Sequence, residues 1–272
     1  MVSKAPRVDL TPSFTVIKNS FQKTKSILGL SLVLAKAEFK LRNEGSYLGI
    51  FWYLLNPILM FVLLFLIFYD RLGSEIKYYP LYLLTGIVMF NFFQSSTLEA
   101  VRSVANNRWI IKSINFPKES LILAIIIKNI FSHFFEILLI CLTLLFFEIN
   151  IFNILFYVPV ILWLSFFALG ISFILASLTV FFVDIESIWT FAVRLLWFGT
   201  PIFYAIEGQA RLFYVNLLNP MYYFITIARS LIIYGKMPEL WLLAAGFFYG
   251  LLFLLLGLRI FNRLKTKFAE KI

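Results

Sequence analysis

Lys128, Asn129, Ser132, His133 and Glu136 lie inside an apolar run of residues 121–147. Lys128, Ser132 and Glu136 are spaced i, i+4, i+8, so on a helix they share one stripe. Ionisable groups at such depth can relay protons, hold a counter-charge or line a wet route, and each use requires protein or water along that stripe. Lys128 can snorkel to the near interface. Glu136 cannot: it stands about 22 Å along the run at 1.5 Å per residue. Arg194 is a further charge within an apolar run.

Catalytic patterns are absent. His133 is the only histidine, and Cys141 is the only cysteine and lies in an apolar run. No metal-ligand spacing, disulfide or CxxC follows from them. Gly235-Lys236 is followed by Met237, so there is no phosphate-cradling G-x-x-x-x-G-K-[ST] loop. A nucleophile elbow and an H-E-x-x-H pair are missing as well. The expectation is a chain that is not itself an enzyme and holds no metal. The 33 Phe, 13 Tyr and 6 Trp are the other chemical resource. Such rings face lipid or form interfacial belts, and they also stack on the C–H faces of sugars.

The elements that must position these groups are membrane helices. The chain is 61% hydrophobic and 14% charged, with mean hydropathy +0.90. Its apolar runs last about 20 residues, the length that a hydrocarbon core of about 30 Å requires. Six spans are predicted, at about 50–69, 79–98, 121–147, 154–182, 187–204 and 239–258. Residues 1–26 read as a polar cytoplasmic segment, made irregular by Pro6 and Pro12. Residues 27–46 read as an amphipathic interface helix, with Leu30, Val33, Leu34, Ala37 and Leu41 on its apolar stripe and Phe39 off it. The remainder, 47–272, forms one six-span domain.

Span 1 has a kinked polar face (Tyr53, Asn56, Pro57, Met60) opposite a face of Leu54, Phe61, Phe65 and Phe68. The end of span 2, NFFQSSTLEA, is too polar to face lipid. In span 4, Ser165, Ala168, Ser172, Ala176 and Thr179 make a small-residue stripe for close helix approach. Residues 205–236 contain two apolar pieces too short to span, split by Asn219-Pro220, and read as re-entrant helices. Seventeen Lys and Arg fall on the side of the termini against five on the other, so both termini are placed in the cytoplasm. The net charge of +10 follows from this topology and does not call for nucleic acid.

Four stretches in order resemble one family. They are FKLRNEGSYLGIFWYLLNPIL (39–59), INFPKESLIL (114–123), DIESIWTFAVRLLWFGTPIFY (184–204) and LLNPMYYFITIARSLIIYG (217–235). They are similar to the permease subunit of ABC-2 type exporters that move lipid-linked polysaccharides, such as O-antigen, capsule or teichoic acid, with the O-antigen group most alike. The resemblance implies an all-α membrane fold in the bacterial cytoplasmic (inner) membrane. It implies a homodimer with two copies of a separate ABC ATPase, which would bind ATP and Mg, so that this chain itself carries no cofactor.

The resemblance also assigns sites. Trp52, Tyr53, Asn56, Met60, Trp197 and Tyr204 would line the route, between spans 1 and 5 of the two subunits. Lys36, Lys40, Arg102, Asn107, Arg108, Trp109, Lys112, Phe116 and Pro117 would meet the ATPase. Glu207, Arg211, Tyr214, Asn219, Pro220 and Arg229 would form an external gate. Three other readings compete: an ABC-2 permease for a smaller lipid or drug, a proton-coupled transporter using His133 and Glu136, and a membrane glycosyltransferase. The last lacks an acidic extramembrane loop, and the proton-coupled class is commonly built from repeats not visible here.

Overall fold

Apolar sequence with few helix breakers leaves backbone groups no partner but their own helix, and long helices result. The computed structural model describes residues 11–44, 49–73, 75–113, 116–206 and 209–271. Its helices are α1 (Thr11–Asn43), α2 (Trp52–Phe68), α3 (Tyr79–Asn106), α4 (Arg108–Ser113), α5 (Glu119–Phe146), α6 (Tyr157–Thr179), α7 (Ile185–Gly199), α8 (Ala210–Leu217), α9 (Pro220–Ile232), α10 (Leu240–Leu264) and α11 (Phe268–Lys271). No strand occurs among the described residues.

Five segments are long and apolar enough to cross a membrane: Trp52–Gly73, Tyr79–Asn106, Glu119–Phe146, Ile151–Thr179 and Leu240–Lys267. The predicted span 187–204 is the exception. There α7 has 15 residues, about 22 Å of helix, and stops before Thr200-Pro201. The region after it is two short helices, α8 and α9, divided at Asn219-Pro220 as expected.

Two boundaries differ from the sequence reading. Helix α1 already includes Thr11, the first described residue, and does not begin near Ile27; Pro12 lies within it. Helix α3 runs to Asn106, eight residues beyond the predicted end at 98. Its polar final third is buried: Ser96, Thr97, Ala100 and Val101 are fully enclosed.

Helix α3 is the hub, packed against α2, α5, α6, α7 and α9. In lipid there is no hydrophobic drive between apolar helices, so small residues set the approach. Ser165, Ala168, Ser172 and Ala176 are all buried, and the Ser172 hydroxyl lies 3.4 Å from the Ser96 carbonyl of α3. The closest approach uses other residues. A Cβ at Gly170 of α6 or Gly257 of α10 would collide with the facing helix backbone. Trp163 Nε1 then donates to the Gly246 carbonyl at 3.0 Å.

Helix α1 packs on α5 through Ser31 and Ala35, both fully buried, with Glu38 and Phe39 beside them. Of the predicted apolar stripe, Leu34 packs on the core, while Val33 and Leu41, each 66% exposed, are left on the outward side that an interfacial helix would turn to lipid. Phe39, off that stripe, stacks on Tyr53 at 5.8 Å and meets Phe131 edge-on.

Candidate functional site

The intramembrane polar stripe of α5 does not face lipid. Lys128 is 8% exposed and pairs with Glu99 of α3 at 2.8 Å and Glu38 of α1 at 3.1 Å. Lys128, expected to snorkel, ends on two carboxylates that are themselves 35% and 29% exposed. Glu99 also accepts from Arg42 at 3.2 Å and from Asn129 at 3.2 Å. Two carboxylates and two cations from α1, α3 and α5 thus close one network, which is how charge becomes tolerable at this depth. One turn beyond Asn129, His133 Nδ1 lies 2.8 Å from Glu136 Oε2 and His133 Nε2 lies 2.7 Å from the Tyr157 hydroxyl.

Beside these networks α1, α2, α3 and α5 enclose a cavity of about 390 Å³. Trp52, Tyr53 and Pro57 form its α2 wall, and Asn56 joins them. Asn91, Gln94, Ser95, Asn129, His133 and Glu136 supply amides, a hydroxyl, an imidazole and a carboxylate from the other side. Arg42 closes one end, its guanidinium 5.0 Å from the centre of the Tyr53 ring. The Tyr53 hydroxyl is buried and has no hydrogen-bond partner among the described residues. Rings beside amides and a carboxylate are the groups that hold polyhydroxylated ligands: apolar faces to stack on and donors and acceptors at their edges.

Three of the six expected route residues, Trp52, Tyr53 and Asn56, meet in this cavity. The other three do not. Met60 is half-buried against the core, and Trp197 is 8% exposed and edge-on to Phe90 at 5.0 Å. Tyr204 sits at the far end, donating to the Gly199 carbonyl at 3.1 Å. On the opposite face of α2, Phe65 and Phe68 pack on Tyr79 and Phe203. Glu38, Asn91, Gln94, Glu99 and Tyr157 were not singled out from the sequence. The excessive polarity of residues 91–100 was the available signal for three of them.

The far end is organised by a break. Thr200-Pro201 ends α7 and leaves carbonyls without helical donors. Arg229 of α9 meets that need: it donates to Pro201 O at 2.6 Å, Ile202 O at 2.8 Å and Tyr82 O at 2.9 and 3.1 Å. Its guanidinium also lies 3.3 Å from the centre of the Tyr82 ring. Arg229 is 3% exposed, so this residue is a clamp rather than a surface group. Asn219 caps α9 through the Met221 N–H at 3.0 Å. Arg211 and Tyr214 are exposed on α8, and Glu207 lies outside the described residues.

The ABC-2 type transporter family matches residues 30–233 of the 272. The chain belongs to that family. It is also similar along its length to O-antigen export system permease proteins. One from Klebsiella pneumoniae is 28% identical over 255 residues, covering 90% of this chain and 95% of the relative. One from Myxococcus xanthus is 25% identical over 248 residues, with the same coverage.

In this ABC-2 permease the residues expected to meet an ATPase are divided: Arg108, Trp109 and Lys112 lie on α4, Arg102 and Asn107 just before it, and Lys36 and Lys40 on α1. Arg108, Trp109 and Lys112 are exposed, Trp109 at 78%. Lys36, Lys40 and Arg102 are exposed too, and Arg102 pairs with Glu186 at 2.7 Å. Asn107 is half-buried and donates to the Ser103 carbonyl at 2.8 Å. Phe116 and Pro117 do not share the Trp109 face. They are half-buried in a groove with Ser26, Glu119 and Lys265, where Lys265 pairs with Glu119 and Lys118 donates to the Lys265 carbonyl at 2.8 Å.

Proposed function

We propose that this chain is the membrane subunit of an ATP-driven exporter of lipid-linked polysaccharide, O-antigen-like in class, in the bacterial cytoplasmic membrane. The cavity behind Trp52 and Tyr53 carries the reading. It is too polar for lipid tails, and its mixture of rings, amides and carboxylate suits a glycan. The names of the relatives support the same substrate class.

In this reading both termini are cytoplasmic, α7 with the broken segment after it completes a sixth crossing, and α8 and α9 form a re-entrant outer gate. Two copies assemble with two ATPase subunits, which supply ATP and Mg. The outward face of α7 supports a homodimer. Phe191, Leu195 and Phe198 are exposed around an exposed Arg194, and a mid-helix arginine on that face needs a partner copy or water, not lipid. ATP-driven closure of the ATPase pair would push on α4 and α1, and rigid-body movement would open a route between α2 and α7 of the two copies.

Proton coupling through His133 and Glu136 is the second reading, favoured by their hydrogen-bonded contact. Against it, the chain of contacts stops at the Tyr157 hydroxyl, whose residue is 1% exposed. Deletion of the gene is expected to trap lipid-linked polysaccharide in the cytoplasm and remove it from the cell surface. Normal surface polysaccharide in the deletion strain would overturn the substrate class, and export that survives ATPase loss but collapses with an uncoupler would favour the proton reading.

A further inference from the structure

A second cavity, of about 490 Å³, lies at the opposite end of the molecule from α4, between the 75–77 loop, the start of α3, the 201–206 segment and α9. Its volume falls within the range of small-ligand sites, about 300–1,000 Å³. Tyr82, Tyr222 and Tyr234 present rings to it. Thr226 and Ser230 add hydroxyls one turn apart on α9, and Glu75 and Lys77 stand at its mouth as an acceptor and a donor.

The walls are held rather than pliable. The Tyr82 hydroxyl donates to the Tyr204 carbonyl at 2.9 Å, and the Tyr234 hydroxyl reaches the Lys77 carbonyl at 3.4 Å. Tyr78, next to Lys77, has φ +58°. A tyrosine in the left-handed region costs roughly 1–3 kcal/mol and persists only where its surroundings fix it. Here the Lys77 ammonium lies 4.8 Å above its ring, and Phe147 meets it edge-on at 5.7 Å.

The chemistry selects the ligand. The Arg229 guanidinium is the cavity's only buried cation among the described lining residues, and it is engaged by the carbonyls of Tyr82, Pro201 and Ile202. It is therefore poorly placed to receive a phosphate. Glu75 and Lys77 give the mouth no net charge. The Tyr82 and Tyr234 hydroxyls are likewise engaged and the guanidinium covers one face of the Tyr82 ring, so the groups turned to a ligand are the Tyr222 and Tyr234 rings, the Thr226 and Ser230 hydroxyls and the Glu75–Lys77 acceptor–donor pair, the complement of a neutral sugar.

We infer, on the polysaccharide-export reading, that this cavity is a saccharide subsite on the external side, which holds sugar units of the glycan as they emerge past α9. Its effect would be to disfavour backward sliding between ATP cycles.

The test is site-specific and sided. Ser230→Cys is introduced in a Cys141→Ser background in the full transporter, and spheroplasts are labelled with a membrane-impermeant maleimide. Delipidated surface polysaccharide from the same bacterium is added outside as the probe. Labelling at 230 is expected, and the probe is expected to slow it by about tenfold at about ten times its Kd. Tyr234→Phe should keep that protection, because the ring remains, and Tyr234→Ala should abolish it. No labelling from outside, no protection, or equal protection with Tyr234→Ala would overturn the subsite. Protection by short-chain phosphatidylglycerol instead of polysaccharide would assign the cavity to a lipid headgroup and overturn it as well. Each of these leaves the export reading standing so long as the deletion strain lacks surface polysaccharide.

Discussion

The Asn219 side-chain amide donates to the Thr200 hydroxyl at 2.8 Å, across nineteen residues of sequence. The Thr200 hydroxyl in turn donates to the Leu196 carbonyl at 2.6 Å, while Asn219 Oδ1 accepts from the Met221 N–H. One asparagine therefore starts α9 and fastens it to the end of α7. Asn219→Ala removes both contacts and is expected to destabilise the fold by about 1–2 kcal/mol. Asn219→Asp keeps the cap and loses only the donor to Thr200, so it should cost less. Unfolding in mixed detergent micelles orders the three proteins.

Arg229 satisfies the carbonyls freed by the α7 break. Arg229→Leu leaves them buried without donors, at about 1–3 kcal/mol for each group. Arg229→Lys restores the charge but not the planar fork and should be intermediate. Thermal unfolding followed by tryptophan fluorescence would check the order wild type, Lys, Leu. Equal stability of the Leu variant would show that the clamp is dispensable.

Lys128→Met removes the cation that Glu99 and Glu38 share. Both carboxylates are about a third exposed and Glu99 keeps Arg42 and Asn129, so the loss should stay below that of a fully buried pair, about 3–5 kcal/mol, and the yield of folded protein should fall measurably. Adding Glu99→Gln should recover part of the loss, because the two sites are coupled. The double-mutant cycle is read from folded yield and micellar unfolding.

Trp109→Asp changes an exposed ring on α4 and should alter stability by no more than about 0.5 kcal/mol. Export and transport-stimulated ATP hydrolysis should both fall in vesicles containing the whole transporter. Unchanged export would remove α4 from the coupling surface. Phe116 is unsuited to the same experiment, since its half-buried side chain packs against the core.

Hydropathy found what lipid selects and missed what protein hides. The five long apolar segments were legible because the bilayer demands length and apolarity at once. The end of α3 was misplaced at 98 because α5 and α6 cover its polar turns, and a hydropathy window cannot register a helix facing other helices. The role of Glu136 as a group needing protein was visible from depth alone. The Tyr157 partner of His133 and the Lys128 partners Glu38 and Glu99 were not, since nothing local encodes pairing across 24 to 90 residues. The α1 packing face was missed for a related reason. Ser31 and Ala35 look unremarkable beside the apolar stripe, yet small residues decide contact in a setting where apolar surface gains nothing by association.

Lys128 and Arg229, the buried cations among the described residues, share a property of timing. Glu38 and Glu99 precede Lys128 along the chain, and Tyr82, Pro201 and Ile202 precede Arg229. A ribosome works from the N-terminus, so each cation reaches the membrane after its acceptors have been made. If the helices enter the membrane in the order they are made, neither cation waits there for a partner still to be translated.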